Sequence, residues 1–595
     1  METSYRKGHD EIENKIISSL SIEEPQALLN LFSTLVRSSG KEDEFAAVNY
    51  ITERLRHYGI HYQVYEPTLY ISLPLESSLE FKESSSWESI RCTSPSFSAD
   101  TEFEWVEAPG AMTTSTVREE DDYVFDPTAV NRDADVKGRI AFCEGTFSPD
   151  MVRTLEDMGA VGIIMINPGE QIHESNCSTV WGTPTLDNMD RLPAIPIVSI
   201  SRPDGDRLLS KWQKGGVSLR LQTRMDVGWR RCMMPVAEIR GCDEPESFIL
   251  VHGHLDSWYY GLCDNGTGDA TLLELARVLH GAREGLGRSV RIAWWPGHSH
   301  GRYAGSTWYA DNFAIDIDEH CVAQMNIDSA GAKWATSYKN AMFMEEAAAF
   351  ARKTIKDHTG QISTGRRPQR AGDYSFNNIG VTSIYMALSE IPEEVRREKG
   401  FYPVGGNGGN SVSWHSDQDI LDYVGFDVLM QDLKVYSATI CRLANSLLLP
   451  YDFRETAVSH LTRLEYYQGI AGDRFDLSLA IEAIDNLSHH LENFYAGAHR
   501  ALAEAPDDSI RSMQKYNKKL LALARVLIPI DYVNLARFEH DPAVPIPPLG
   551  RLEPIKDLDA LENNPHLRHI TLNTLVRRRN QIVSAYRGIA GQLVD

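Results

Sequence analysis

Four residues able to bind a divalent metal stand at the ends of segments that read as buried strands or in the connections that follow them. The run 248–253 ends in His254, with Asp256 two residues on. Ten residues after His254 comes Cys263-Asp264-Asn265-Gly-Thr-Gly, which opens the next helical stretch. The run 321–327 ends in Asp328, and after a further run at 382–387 and the Gly-rich loop GGNGGN comes Ser413-Trp414-His415. Three strand ends and one loop thus deliver a His or an Asp to one sheet edge, and ligands in open α/β sheets bind at the carboxyl ends of the strands. Imidazole and carboxylate in this mixture suit zinc or another first-row divalent ion, with one or two ions accommodated. Asp256 is placed to fix the tautomer of His254. Singly, a His at a strand end reads as structural and an Asp before a helix as a cap; the ordered set carries the case.

The elements that must position these residues follow from periodicity. FILVHGHL precedes ATLLELARVL, where Leu272, Leu275, Ala276 and Leu279 share one helical face. Strand SVRIAWW, helix STWYADNF, strand VAQMNID, helix MEEAAAFARKTI and strand TSIYMAL follow. That alternation predicts an α/β fold with a mixed, largely parallel sheet and helices on both faces. Upstream, Phe45, Val48, Ile51 and Leu55 mark a helix closed by Gly59. From about residue 96 the texture turns irregular and acidic. A compact β/α unit follows: strand Val136–Phe142, a helix opened by Ser148-Pro149, the buried run VGIIMI and the strand IPIVSI. After LPYDF only helical periodicity remains, as in Leu477, Ile481, Ile484, Leu487, Leu491 and Phe494. The expected division is a catalytic domain from 1–95 and 227–449, an insert at 96–226, and a helical bundle at 450–595.

Composition narrows the function. With 59 Lys+Arg against 83 Asp+Glu the formal charge is −24, the wrong sign for a nucleic-acid binder. The longest strongly apolar stretch, about Ala160–Ile166, is far short of the roughly 18 residues that span a bilayer. METSYRKGHDEIENK has no apolar core after its basic residues, so it does not read as a secretory signal. Eight scattered cysteines without a CxxC pair read as reduced thiols. A cytoplasmic protein without membrane or nucleic-acid partners is expected.

HGHLDSWYYGLCDNGTGDATLLELAR, MNIDSAG, AGDYSFNNIGV and the WHSDQD segment together resemble the zinc aminopeptidases related to glutamate carboxypeptidase II and the transferrin receptor. The stretch 96–226 is similar to the protease-associated domain of that group, and the chain from LPYDFRETA onward to its dimerisation domain. The resemblance implies that His254, Asp264 and Asp328 hold one metal, and that Asp264 bridges to a second metal that also takes His415. It implies a metallohydrolase and a homodimer.

One departure stands out. Family peptidases carry a Glu-Glu pair after the strand here written SVRIAWW, one Glu acting as general base and the other as metal ligand. This chain reads Trp295-Pro296-Gly297-His298-Ser299-His300-Gly301-Arg302, with no carboxylate. Anchoring on the strand puts His298 at the base position and Ser299 at the ligand position. Anchoring on Gly305-Ser306 puts Ser299 at the base and His300 at the ligand. Histidine can fill either role, so His298 and His300 are the candidate catalytic residues, with His300 also a candidate metal ligand.

Arg366, Arg367 and Arg370, just before Asp373 and Tyr374, form a candidate anion clamp, because Arg forks match carboxylates. Trp258, Tyr259 and Tyr260 are candidate pocket walls, and Cys263, beside Asp264, a possible soft ligand. The function expected is a metal-dependent hydrolase of amide or peptide bonds in small carboxylated substrates. A metal-dependent lyase on the same scaffold, and a non-catalytic binding or assembly protein, are the alternatives.

Overall fold

The structure, a computed structural model, describes residues 4–113, 115–117, 128–131, 133–145, 148–504 and 509–594. A five-stranded mixed sheet organises the catalytic part. Its strands in chain order are β1 (His61–Tyr65), β2 (Met234–Ile239), β3 (Glu244–His254), β4 (Arg288–Trp295) and β5 (Cys321–Asn326). Their spatial order is β1-β2-β4-β3-β5. Strand β3 runs parallel to both neighbours, with His254 opposite Trp295 and His252 opposite Asn326, so three carboxyl ends share one edge. Its residues from Ser247 to His254 are all buried, as expected for a parallel strand covered on both faces. Helices Glu42–His57 and Thr267–Gly281 pack on the sheet through Val48, Ile51, Leu55, Leu272, Leu275 and Leu279.

Two features differ from the sequence expectation. The run 382–387 forms isolated bridges, Ser383 with Gln324 and Ile384 with Phe343, rather than a sixth strand. Residues 68–90, expected in the catalytic part, belong to the seven-stranded sheet of the insert. There the long strands Thr68–Glu83 and Ser218–Arg231 pair antiparallel from end to end. Val106–Met112, Ile140–Glu144, Gly162–Ile166 and Ile197–Ile200 extend the sheet beyond them.

The C-terminal part is helical, with Phe453–Ala471, Ser478–Ala503, Gln514–Tyr532 and Pro565–Leu593 as its main helices. Leu487, Leu491, Leu520, Leu523, Leu575 and Tyr586 lie in the same continuous core as the catalytic helices. Polar ties cross the junction: the Tyr451 hydroxyl donates to Val322 O at 2.6 Å, and the Leu449 amide to Asn517 Oδ1 at 2.8 Å. Among the described residues no helix is long and apolar enough to cross a membrane.

Candidate metal centre

The edge formed by β3, β4 and β5 gathers the four expected ligands. His254 Nε2 lies 2.9 Å from Asp264 Oδ1 and 3.7 Å from Asp328 Oδ2. His415 Nε2 lies 3.1 Å from Asp264 Oδ2. The Asp264 carboxylate therefore sits between two imidazoles. Each ring already uses its other nitrogen: His254 Nδ1 donates to Asp256 O and His415 Nδ1 to Glu174 O, both at 2.9 Å. Each Nε2 is then a lone pair aimed at a carboxylate, an arrangement that only a proton or a cation between them makes favourable.

The electrostatics ask for the same thing. Although burial disfavours its charge, Asp264 is held well below the usual carboxylate range by His254 and His415. Burial, and then the Asp264 charge, push Asp328 up. Asp256 and Asp373 bring two further buried carboxylates to the cluster. A divalent cation answers this excess of negative charge, and oxygen and nitrogen donors 2.9–3.7 Å apart bracket the roughly 3.3 Å edge of a tetrahedron with ~2.0–2.1 Å bonds. The residues present fit such an ion.

The Gly-His-Ser-His-Gly loop resolves its two histidines differently. His298 lies against the centre: its ring stacks on His254 at 3.8 Å and 10°. One of its nitrogens lies within 4.8 Å of the ligand atoms of both His254 and Asp328. Its Nδ1 is 2.7 Å from Asp373 Oδ2, whose other oxygen accepts from Ser306 Oγ at 2.8 Å. Burial opposes the Asp373 charge, but the adjoining His298 pulls its pKa below the ordinary value. His300, expected as catalytic residue and ligand, turns away. Its Nδ1 is 3.2 Å from Ser39 Oγ and 3.3 Å from Asp256 Oδ2, and the ring is buried. The reason is Asp256. Its carboxylate accepts the amides of His298 (3.1 Å) and Ser299 (2.9 Å) and the Ser39 hydroxyl (2.7 Å). Asp256 thus shapes the loop, and it meets His254 Nδ1 with its backbone carbonyl at 2.9 Å, its carboxylate lying 3.7 Å from the same nitrogen.

Sequence reasoning missed several supports. The Asn265 side chain donates to His254 O and Ile327 O and accepts from the Ser329 amide, tying together the ends of β3 and β5. Asp419 accepts the amides of Cys263 and Asp264 at 2.9 and 3.0 Å, and burial pushes it up to about 7. The buried Arg37 guanidinium donates to Leu255 O, Tyr260 O and Gly261 O. The insert also reaches the centre. Asn176 Nδ2 donates to Ser299 O; the Glu174 amide donates to His415 O, its carbonyl accepts the His415 ring, and its carboxylate accepts the Tyr259 hydroxyl. Trp258 meets His415 edge-on at 4.3 Å, and Tyr260 is 39% exposed. Cys263 points elsewhere, its thiol bonding Tyr423 O.

The arginine clamp does not form. Arg367 is buried in an ion pair with Asp531 and donates to Asp531 O at 2.9 Å. Arg370 donates to the carbonyls of Asp541 and Pro542 and lies 4.1 Å over Trp181. Both join the catalytic part to the C-terminal part. Arg366 keeps its side chain 40% exposed, 3.9 Å from Glu390. Tyr374 is buried in a small cluster with Trp181 and Tyr303, and Asp373 serves His298 rather than a substrate.

Residues 236–436 match the profile described as peptidase family M28, and residues 106–208 that of the PA domain. The chain contains an M28 domain and a PA domain. The M28 match runs from β2 into the helix Phe426–Asn445 and so includes His254, Asp264, His298, Asp328 and His415. Aminopeptidase NAALADL1 of Mus musculus is 24% identical over 335 residues, 49% of this chain and 42% of the relative. A glutamate carboxypeptidase 2 homolog of Caenorhabditis elegans is 24% identical over 205 residues, 30% of this chain and 26% of the relative. The chain therefore matches less than half the length of these curated relatives. Among solved structures, a peptidase M28 precursor from Shewanella amazonensis superposes with a TM-score of 0.55 at 18% identity, covering 74% of this chain and 96% of that one. The M28 fold accounts for the mixed sheet and its helices.

Proposed function

We propose that the chain is a metal-dependent hydrolase of amide or peptide bonds in peptide-like substrates, with His298 as the proton acceptor in place of the family's Glu. One observation carries the reading: His298 is stacked on His254 while its Nδ1 is hydrogen-bonded to Asp373. Lone pairs of imidazoles lie in the ring plane, so two parallel stacked rings cannot aim theirs at one ion. His298 therefore faces the ligand cluster without joining it. In the neutral ring, an Nδ1–H donated to a carboxylate leaves Nε2 unprotonated, the form a general base needs.

His254, Asp264 and Asp328 would hold the ion, with Asp264 kept in place by His415. When bound, a divalent metal, zinc by the nature of the donors, supplies Lewis acidity to a carbonyl and lowers the pKa of water. The chain's own part is to accept the proton at His298 Nε2 and to keep that ring oriented through Asp373. The same base could remove a carbon-bound proton, so the products decide. Incubated with zinc and a peptide mixture, the protein is expected to release fragments whose summed mass exceeds the substrate by one water. An unsaturated product with no added water would instead establish a lyase. A preference for carboxylated substrates keeps little support, since Arg367 and Arg370 are engaged elsewhere.

The reading includes a homodimer built on the C-terminal helices. Val458, Tyr466, Leu567, Ile570 and Val576 there are exposed, and an obligate pairing buries roughly 2,000 Å² or more. Light scattering at micromolar concentration should give twice the 66.8 kDa chain mass; the mass of a single chain would remove the claim.

A further inference from the structure

Resting on the metal reading above, we infer that each chain holds one divalent ion, on the His254 side of Asp264, and that His415 is a positioning residue for Asp264 rather than half of a second metal site. The two sides of the shared carboxylate are unequally furnished. On one side His254 Nε2 lies 2.9 Å from Asp264 Oδ1 and 3.7 Å from Asp328 Oδ2. That is three protein donors and two carboxylates against a charge of +2, the usual furnishing of an open zinc site. On the other side, among the described residues, Asp264 Oδ2 is joined by His415 Nε2, at 3.1 Å.

A second ion would need a third donor there, and the histidines of the loop that could supply one are committed. The loop after β4 contains no Asp, Glu or Cys between Pro296 and Arg302. His298 is bonded to Asp373, and His300 is turned to Asp256 and Ser39. Ser299 offers a neutral hydroxyl, while its amide and carbonyl are bound to Asp256 and Asn176. The Glu174 backbone carbonyl meets His415 at Nδ1, the nitrogen away from Asp264; its Oε1 accepts the Tyr259 hydroxyl, while Oε2 is buried without a hydrogen-bond partner among the described residues. Among the described residues, the cluster at this centre with three donors within 4.8 Å of one another is His254, His298 and Asp328, on the His254 side. His415 cannot swing to recruit another donor, because its ring is stacked on Trp414 at 3.9 Å and meets Trp258 at 4.3 Å. Clamped in this way, it binds Asp264 Oδ2 and turns Oδ1 toward His254.

The test is a count of ions, read independently of turnover. Zinc-loaded protein is dialysed against metal-free buffer and analysed by elemental mass spectrometry, and the metal-free protein is titrated with cobalt(II) followed by visible absorption. The inference predicts one equivalent of zinc per chain and a single cobalt endpoint at one equivalent. His415→Gln should keep that stoichiometry while binding about 10–100-fold more weakly, the loss typical when a residue supporting a ligand is removed. Asp328→Asn should lose the ion, and His254→Gln serves if that variant fails to fold. Two equivalents in the wild type, reduced to one in His415→Gln, would overturn the inference while leaving the metal reading intact. No retained zinc in the wild type would overturn both.

Discussion

Replacing His298 with glutamine should lower turnover by roughly 10²–10⁴-fold, the usual worth of a positioned general base, while leaving the bound ion and the fold in place. The size follows from the substitution of the loop. No carboxylate lies between Pro296 and Arg302 to take the proton instead, and His300 is buried against Asp256. Retention of the ion follows from the stacked geometry, since a ring parallel to His254 at 3.8 Å is no ligand to the ion that His254 holds. Glutamine keeps some of the bulk and a hydrogen-bond donor for Asp373 but no titratable nitrogen. Asp373→Asn should act through the same ring and cost less, and the double variant should be little worse than His298→Gln alone, because residues acting as a unit are not additive. Steady-state kinetics alongside zinc analysis checks this; a variant that loses zinc together with activity would make His298 a ligand.

Asp531→Ala should be the most damaging single change outside the centre. It strips the buried Arg367 guanidinium of its counter-ion and leaves the Leu549 amide, donated to Asp531 at 3.0 Å, without its acceptor. Both side chains are almost wholly buried, so solvent cannot take over. Breaking a buried pair from one side costs about 3–5 kcal/mol. The pair joins the helix Gln514–Tyr532 to the segment before Asp373, so the loss should appear as a lowered melting temperature and as looser docking of the helical part. Replacing both partners with apolar residues of similar volume should recover much of the stability. Equal melting temperatures for wild type and Asp531→Ala would show that the pair carries no such weight.

The contrast between these two regions explains what the sequence could and could not reveal. His254, Asp264 and Asp328 were legible because each follows a run whose periodicity marks its element, and parallel strands bring their carboxyl ends together by construction. The helical C-terminal part was legible from Leu, Ile and Phe recurring every three or four residues. The arginines were not legible. Their partners Asp531 and Asp541 lie more than 160 residues away, and nothing local distinguishes an arginine that clamps a substrate from one that pins a helix. The two histidines of the loop illustrate the same limit. Sequence put both at the centre, but the side each faces is decided by Asp373 and Asp256, which arrive from other loops. The segment 68–83 was expected in the catalytic part, because nothing local to it points to the distant strand Ser218–Arg231 with which it pairs. Asn265 and Asp419 had a weaker signal: both sit inside motifs already singled out, where an amide and a carboxylate next to ligands could have been read as their supports.

The account's central claim is that one cluster holds a metal while a histidine beside it, not in it, takes the proton. Anomalous diffraction from zinc-loaded crystals, recorded on either side of the zinc absorption edge, tests it most directly. The account predicts a peak bonded to His254, Asp264 and Asp328, with His298 still bonded to Asp373 and outside bonding distance of the peak. A peak ligated by His298, or none within reach of His254, would contradict it.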